Sequence, residues 1–263
     1  MPSGHEGWDA YAPYYDWENA RTMGRRDLAF WRQLATRTGG RVLELGSGTG
    51  RLTVPLHRDG IPIVGVDRTA AMLDRVGPRS RRSRTTCPDV TRGDITRLPF
   101  ADRSFRLVMA PYGMLQSLLS DLLLLRTLQE AWRVLEAGGR LGIDLVPDVP
   151  RWREYTRKLV FFSPKGPRGL PLTLRETVRQ DHDKGITTFQ QEYSEGRGAT
   201  RQVTPFTIRF RTLPLPAIAR RVERAGFIVE AVLGDYRGAA WDHRADVWIL
   251  IARKPDNAGG AGR

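Results

Sequence analysis

The chain has 263 residues, 40% of them apolar, with 42 basic and 29 acidic side chains and a net charge of +13. That length suits one large α/β domain, or a domain with an insertion, around a packed core. No apolar run is long enough to cross a bilayer, and Met1–Glu6 has neither the basic region nor the apolar core of a signal peptide. One cysteine, Cys87, excludes an internal disulfide and a cysteine-rich metal site, so a reducing cytoplasm is the default expectation.

The positive charge is nearly all arginine, since Lys158, Lys165, Lys184 and Lys254 are the only lysines. The arginines are scattered along the chain, as a GC-rich coding bias would leave them. A nucleic-acid partner is the alternative. The densest run, Arg79 to Arg84, stands beside Gly77-Pro78 and reads as an exposed loop.

In chain order, residues 1–20 are aromatic and mostly without a period. Residues 24–37 carry Leu28, Phe30, Trp31, Leu34 and Ala35 at helical spacings, and Gly39-Gly40 stops that helix. A strand at 41–45 runs into Gly46-Ser47-Gly48 and an apolar helix. A second strand at 61–66 ends at Asp67, with a short helix at 69–76 behind it. A weak third strand lies near Val90, and a clear fourth is Phe105–Ala110. A helix over about 121–136, capped by Ser120 or Asp121 and stopped by Gly138-Gly139, leads to a fifth strand at 140–146. This alternation predicts a parallel sheet with helices on both faces. From 151 to 212 the texture becomes polar and alternating, as in 172–178, 187–193 and 206–211, which predicts an inserted antiparallel lid. The core resumes with a helix at about 215–225 and strands at 227–233 and 246–252. The organisation expected is a core of 1–150 and 213–254, a lid of 151–212, and a disordered tail of 255–263.

In a doubly wound sheet, ligands sit at the carboxyl ends of the strands. Four features fall there. Gly46-Ser47-Gly48, preceded by Glu44, makes a turn that lets backbone approach a ligand. Asp67 can accept from both ribose hydroxyls, or cap the next helix. Gly93-Asp94-Ile95 reads by itself as an Asx turn. The fourth feature is the loop Ala110-Pro111-Tyr112 after the fourth strand. Arg51 occupies the position where a dinucleotide fingerprint has its third glycine, which weakens an NAD reading.

Together, Glu44-x-Gly46-x-Gly48-x-Gly50, Asp67, Asp94-Ile95, the Ala110-Pro111-Tyr112 loop and Leu128–Leu135 resemble the class I S-adenosylmethionine (SAM) methyltransferases. With Tyr14-Tyr15-Asp16 the chain also resembles the small-molecule type, including glycine and amino-sugar N-methyltransferases. The resemblance implies a Rossmann-like, mostly parallel seven-stranded sheet and SAM as cofactor. It also implies cofactor-binding roles for Glu44, Gly46, Ser47, Gly48, Asp67, Met72, Asp94, Ile95, Ala110 and Pro111. From Tyr14-Tyr15-Asp16 it implies that Tyr15 reaches the cofactor and that Arg21 (or Arg26) pairs with the methionine carboxylate. An aromatic segment that merely packs is the other reading. Base methylation of nucleic acid is disfavoured because Met109-Ala110-Pro111-Tyr112 replaces the Asn/Asp-Pro-Pro-Tyr/Phe of those enzymes.

A methyl transfer to nitrogen or oxygen needs a base only to remove a proton. The candidates are Tyr14 and Asp144, with Tyr11 and His182 behind them. Asp144 otherwise caps a loop, and His182 otherwise sits in a hairpin turn. His5, His57, His182 and His243 form no ligand-spaced pair, so no metal is expected. The expected partner is a small-molecule acceptor, with no membrane. The alternatives are an RNA or protein substrate and a non-catalytic nucleotide-binding protein.

Overall fold

The computed structural model describes residues 7–22, 24–146, 154–242, 244–245 and 247–256. The strands are β1 (Val42–Leu45), β2 (Ile63–Asp67), β3 (Asp89–Arg92), β4 (Phe105–Ala110), β5 (Leu135–Leu145), β6 (Tyr155–Ser163), β7 (Leu172–Asp181), β8 (Ile186–Glu195), β9 (Gln202–Arg211), β10 (Ile228–Leu233) and β11 (Trp248–Arg253). Seven of them form one sheet in the order β10-β11-β5-β4-β1-β2-β3. All pairings are parallel except those of β11, which runs antiparallel to both β5 and β10. β1 is buried along its whole length, as parallel strands covered on both faces require.

The helices are α1 (Trp8–Asn19), α2 (Leu28–Thr38), α3 (Thr53–Arg58), α4 (Ala70–Leu73), α5 (Val76–Arg82), α6 (Asp121–Val134) and α7 (Leu215–Arg224). On one face, Leu28, Trp31 and Ala35 of α2 pack with Leu52, Leu56, Leu107 and Met109. Gly142 permits this contact, since a Cβ there would fall 2.9 Å from Trp31 Cζ3. On the other face, α6 and α7 bury Leu124, Leu128, Ile218 and Val222 against Leu43, Val108 and Leu250. The helical period divides the four-leucine run of α6: Leu124 is 0% exposed, whereas Leu122 is 56% and Leu125 41% exposed. Ser120 Oγ accepts from Leu123 N at its start. At its end the buried Lys254 Nζ donates to the carbonyls of Trp132 and Leu135, both at 2.7 Å. These are carbonyls the helix itself leaves without a partner.

The remaining four strands form a second, antiparallel sheet, β6-β7-β8-β9, between β5 and α7. Alternation decides its two faces. Leu172, Leu174, Glu176 and Val178 point inward on β7, and Arg175 and Arg179 point out. The inward face meets α1 and α4 in an aromatic cluster of Tyr11, Tyr14, Met72, Leu174, Tyr193, Phe206 and Ile208.

Three local expectations are corrected, and one strand is added. Residues 8–19, taken as non-periodic, are helical despite Pro13, because Tyr11, Ala12 and Tyr14 are buried against the lid. The arginine run is not a loop: 76–82 is α5, with Val76 and Ser80 buried. Helix α6 stops at Val134, and Gly138 and Gly139 lie within an irregular β5. The exposed edge strand β6 had no recognisable pattern, since only Ser163 of its nine residues is buried. Of the tail, 257–263 lies outside the described residues, as do His5 and His243.

Candidate active site

β1 ends at Leu45, and the chain turns at once through Gly46 and Gly48, whose φ angles are +67° and +54°. L side chains rarely adopt that region. A Cβ on Gly46 would also lie 2.7 Å from Met114 Cγ. The Ser47 side chain turns under the loop toward Gly65, and its buried Oγ has no partner. Gly48 N donates to Asp67 Oδ2 at 2.9 Å, and Thr69 N donates to Oδ1 at 2.8 Å. Asp67 thus ties the glycine turn to the end of β2. Burial raises its pKa against these hydrogen bonds. Each carboxylate oxygen has a second lone pair for a ligand hydroxyl.

Asp94 closes an Asx turn, accepting from Thr96 N at 2.8 Å and Thr96 Oγ1 at 2.7 Å, with Arg68 at 3.6 Å. Ile95 packs on the main core, and Met72 sits in the aromatic cluster. Ala110 ends β4, followed by the buried Pro111. Tyr112 (φ +61°) and Gly113 (φ +63°) then make a left-handed pair. Asp144 holds this loop: Oδ1 accepts from Gly113 N at 2.8 Å and Oδ2 from Tyr236 Oη at 2.7 Å. Both oxygens are engaged and the residue is 1% exposed.

Under the glycine turn lies a buried ion pair that sequence reasoning missed. Arg51 Nη1 and Nη2 donate to Asp27 Oδ1 and Oδ2, each at 2.6 Å, a bidentate fork. Burial works against the guanidinium's charge, but the Asp27 hydrogen bonds and charge outweigh it. The guanidinium lies 5.3 Å from the Tyr112 ring. Glu44 and Tyr15 also feel its charge. Burial keeps the Tyr15 phenol well above its ordinary pKa.

Glu44 is buried, with Thr53 Oγ1 donating to it at 2.5 Å. Burial pushes its pKa up to about 7, and burial likewise pushes Asp144 up to about 6. Both folded values lie above those of the unfolded chain, so the stability these groups lend is full below about pH 4. It is lost as pH rises through 6 and 7. Glu44→Gln therefore flattens the fall in unfolding free energy between pH 5 and pH 8 by up to about 3 kcal/mol, measured by urea denaturation without ligand. An unchanged slope would show that Glu44 is charged throughout.

α1 lies across the glycine turn. Asp16 accepts from Thr49 Oγ1 at 2.5 Å, from Arg75 Nε at 3.3 Å and from Arg79 Nη2. Arg79 Nε also donates to Thr49 O at 2.9 Å. This latch sets two faces of α1. Tyr14 faces the lid, stacked on Tyr193 at 4.5 Å, with its hydroxyl 3.2 Å from Thr204 Oγ1. Tyr11, Tyr15 and Glu18 share a stripe at helical spacing. Arg21 turns back on its own helix: Nη1 donates to Trp17 O at 2.8 Å and the guanidinium covers the Trp17 ring at 4.0 Å. Arg26 is exposed. The buried cation beside Tyr15 is Arg51. His182 is exposed in the β7–β8 turn, and among the described residues no group of metal-binding side chains occurs.

A strand–glycine–helix turn, an acid ending β2 and a seven-stranded sheet with one antiparallel strand define the class I methyltransferase fold. The comparisons agree. Residues 42–139, from β1 into β5, match the family described as a methyltransferase domain. A demethylmenaquinone methyltransferase of Paenarthrobacter aurescens is 35% identical over 164 residues, which are 58% of this chain and 60% of that protein. This chain thus matches rather less than two thirds of the length of such relatives. An S-adenosylmethionine-dependent methyltransferase from Clostridium acetobutylicum superposes with a TM-score of 0.77 at 13% identity, covering 94% of this chain and 99% of that one. The sugar N-methyltransferase KedS8 from Streptoalloteichus superposes at 0.73 with 14% identity, covering 91% of each chain. Residues 42–139 thus match a methyltransferase domain, and the chain shares the fold of these solved methyltransferases. No helix among the described residues is long and apolar enough to cross a membrane.

Proposed function

We propose that this protein transfers the methyl group of SAM to a nitrogen or oxygen atom of a small molecule in the cytoplasm. In this reading, residues 151–212 are the lid over the acceptor. The observation that carries it is convergence. The glycine turn, Asp67 and the Tyr112–Gly113 loop meet at the carboxyl ends of β1, β2 and β4, with α1 and the lid sheet above them. The residues fit the cofactor: two positive-φ glycines leave backbone uncovered, and Asp67 retains lone pairs for a ribose. Asp67 would hold the ribose, Asp94 and Ile95 the adenine edge, and the Ala110-Pro111 segment the methionine end, with Gly46–Gly48 beneath. Bound SAM supplies an electrophilic methyl carbon; the chain's part is alignment and exclusion of water, worth on the order of 7–11 kcal/mol.

The ion pairs support a small acceptor over a nucleic acid. Arg51, Arg79, Arg133, Arg140, Arg211, Arg221 and Arg253 are each held by carboxylates of this chain. The test is transfer of radiolabelled methyl from SAM to a panel of small amines and alcohols and, separately, to transfer RNA. Label is expected in the small-molecule fraction and not in RNA. Label in RNA, with affinity falling steeply as salt rises, would replace this reading.

A further inference from the structure

The chain leaves the core at Val146, just past β5, and comes back from the lid sheet at Arg211, the last residue of β9. One buried side chain holds both ends. Gln116 belongs to the short 3-10 turn Met114–Ser117 and is 4% exposed. Its Oε1 accepts from Val146 N at 2.8 Å, and its Nε2 donates to Val146 O at 3.1 Å. The amide pairs with this outgoing stem as a neighbouring strand would. Nε2 also donates to Arg211 O on the returning stem, at 3.3 Å. The Arg211 side chain adds a second tie, with Nη1 donating to Asp121 Oδ1 at 2.8 Å where α6 begins.

The turn that carries Gln116 continues the Tyr112–Gly113 loop. Gln116 N donates to Gly113 O at 2.9 Å. A Cβ on Gly113 would lie 2.8 Å from Gln116 Oε1 and 3.4 Å from Val146 Cγ2. Loop, amide and outgoing stem therefore touch with no slack, and a shift of the loop moves the stem. The lid sheet is also attached to α1. Tyr14 stacks on Tyr193, and Glu18 Oε2 accepts from Tyr11 Oη at 2.6 Å and from Tyr193 Oη. That attachment leads through Asp16 to the glycine turn, whereas Gln116 leads to the loop after β4.

A buried amide is costly unless its polar atoms are bonded. The neighbours Leu115 and Leu118 are packed in the apolar core, so an apolar side chain would suit position 116. The side-chain bonds of Gln116 do not serve its own turn. All three go to backbone of the two stems, which an apolar residue of the same size would leave without these partners. The residue joins segments rather than filling space.

Resting on the methyltransferase reading, we propose that Gln116 is a positioning residue that couples the lid sheet to the loop after β4. A ligand that settles this loop then draws both stems, and with them the lid, into place over the acceptor. In that reading the ligand is the methionine end of the cofactor. Gln116 acts through the two stems and touches neither the cofactor nor the acceptor.

Hydrogen–deuterium exchange on the whole protein, with and without saturating S-adenosylhomocysteine (SAH), reads this coupling without knowledge of the acceptor. In the wild type, SAH is expected to slow exchange in the glycine turn, in the Tyr112–Gly113 loop and, by about fivefold or more, in β7 and β8 of the lid. Gln116→Met keeps the volume and loses the three bonds. It is expected to keep the SAH response of the glycine turn and to lose that of the lid. Gln116→Glu sets a carboxylate against the carbonyls of Val146 and Arg211 and is expected to lose the lid response too, so either variant decides. A role in packing alone would leave the lid response intact in Gln116→Met. If calorimetry shows that SAH does not bind the wild type, the methyltransferase reading itself fails. If SAH binds but the wild-type lid exchanges as before, or if Gln116→Met still shows the lid response, the coupling role of Gln116 is overturned.

Discussion

Asp67→Ala lowers the affinity for SAM and for SAH by about 100-fold or more, measured by calorimetry. A carboxylate holding two ribose hydroxyls makes two charge-assisted hydrogen bonds, each worth about 1.5–3 kcal/mol, and their loss multiplies Kd by that factor or more. Asp67→Asn keeps one acceptor oxygen and falls between wild type and alanine. The same carboxylate holds Gly48 N and Thr69 N, so the alanine variant is also less stable, by about 1–2 kcal/mol. Thermal melting without ligand separates the two effects. An affinity within threefold of wild type would show that Asp67 only ties the turn together and would remove the ribose assignment.

Asp27→Ala is the most destabilising single change foreseen, costing about 3–5 kcal/mol. The Asp27 side chain is 0% and that of Arg51 9% exposed, so water cannot take the place of the lost carboxylate. The guanidinium stays among Tyr15, Glu44 and Tyr112 with its fork unpartnered. Against a typical domain stability of about 5–15 kcal/mol, the melting temperature falls by roughly 10 °C. Replacing both partners, Asp27→Leu with Arg51→Met, costs much less, because no charge is left stranded. A loss below about 1 kcal/mol in Asp27→Ala would mean that water or Glu44 substitutes for Asp27.

The glycine turn and the acid ending β2 were legible because they are local. Gly46, Gly48 and Asp67 each announce themselves by a backbone need or by a position at a strand end, within one βαβ unit. The seam between α1 and the lid was not. Glu18 gave no signal because 8–19 did not read as a helix. Its aromatic residues lack a clean apolar stripe, and Pro13 interrupts the pattern. Had the helix been seen, Tyr11, Tyr15 and Glu18 would have stood out at positions i, i+4 and i+7. Arg51 was visible only as a departure from the dinucleotide fingerprint, since its partner Asp27 lies 24 residues away, just before α2. Arg21 was chosen by its place after Tyr15, and its contacts prove to be with Trp17.

By itself the sequence determined the parallel core, the glycine turn, the acid at the end of β2 and the presence of an antiparallel insertion. Periodicity and turn chemistry act over a few residues and survive without knowledge of what packs where. Only the tertiary structure decided that α1 is a helix, that Asp16 latches it to the glycine turn, that Asp144 is committed to a loop, and that Glu18 faces the lid. Those outcomes depend on burial between segments far apart in the chain, and the free energy of excluding water from that seam appears in no short stretch of residues.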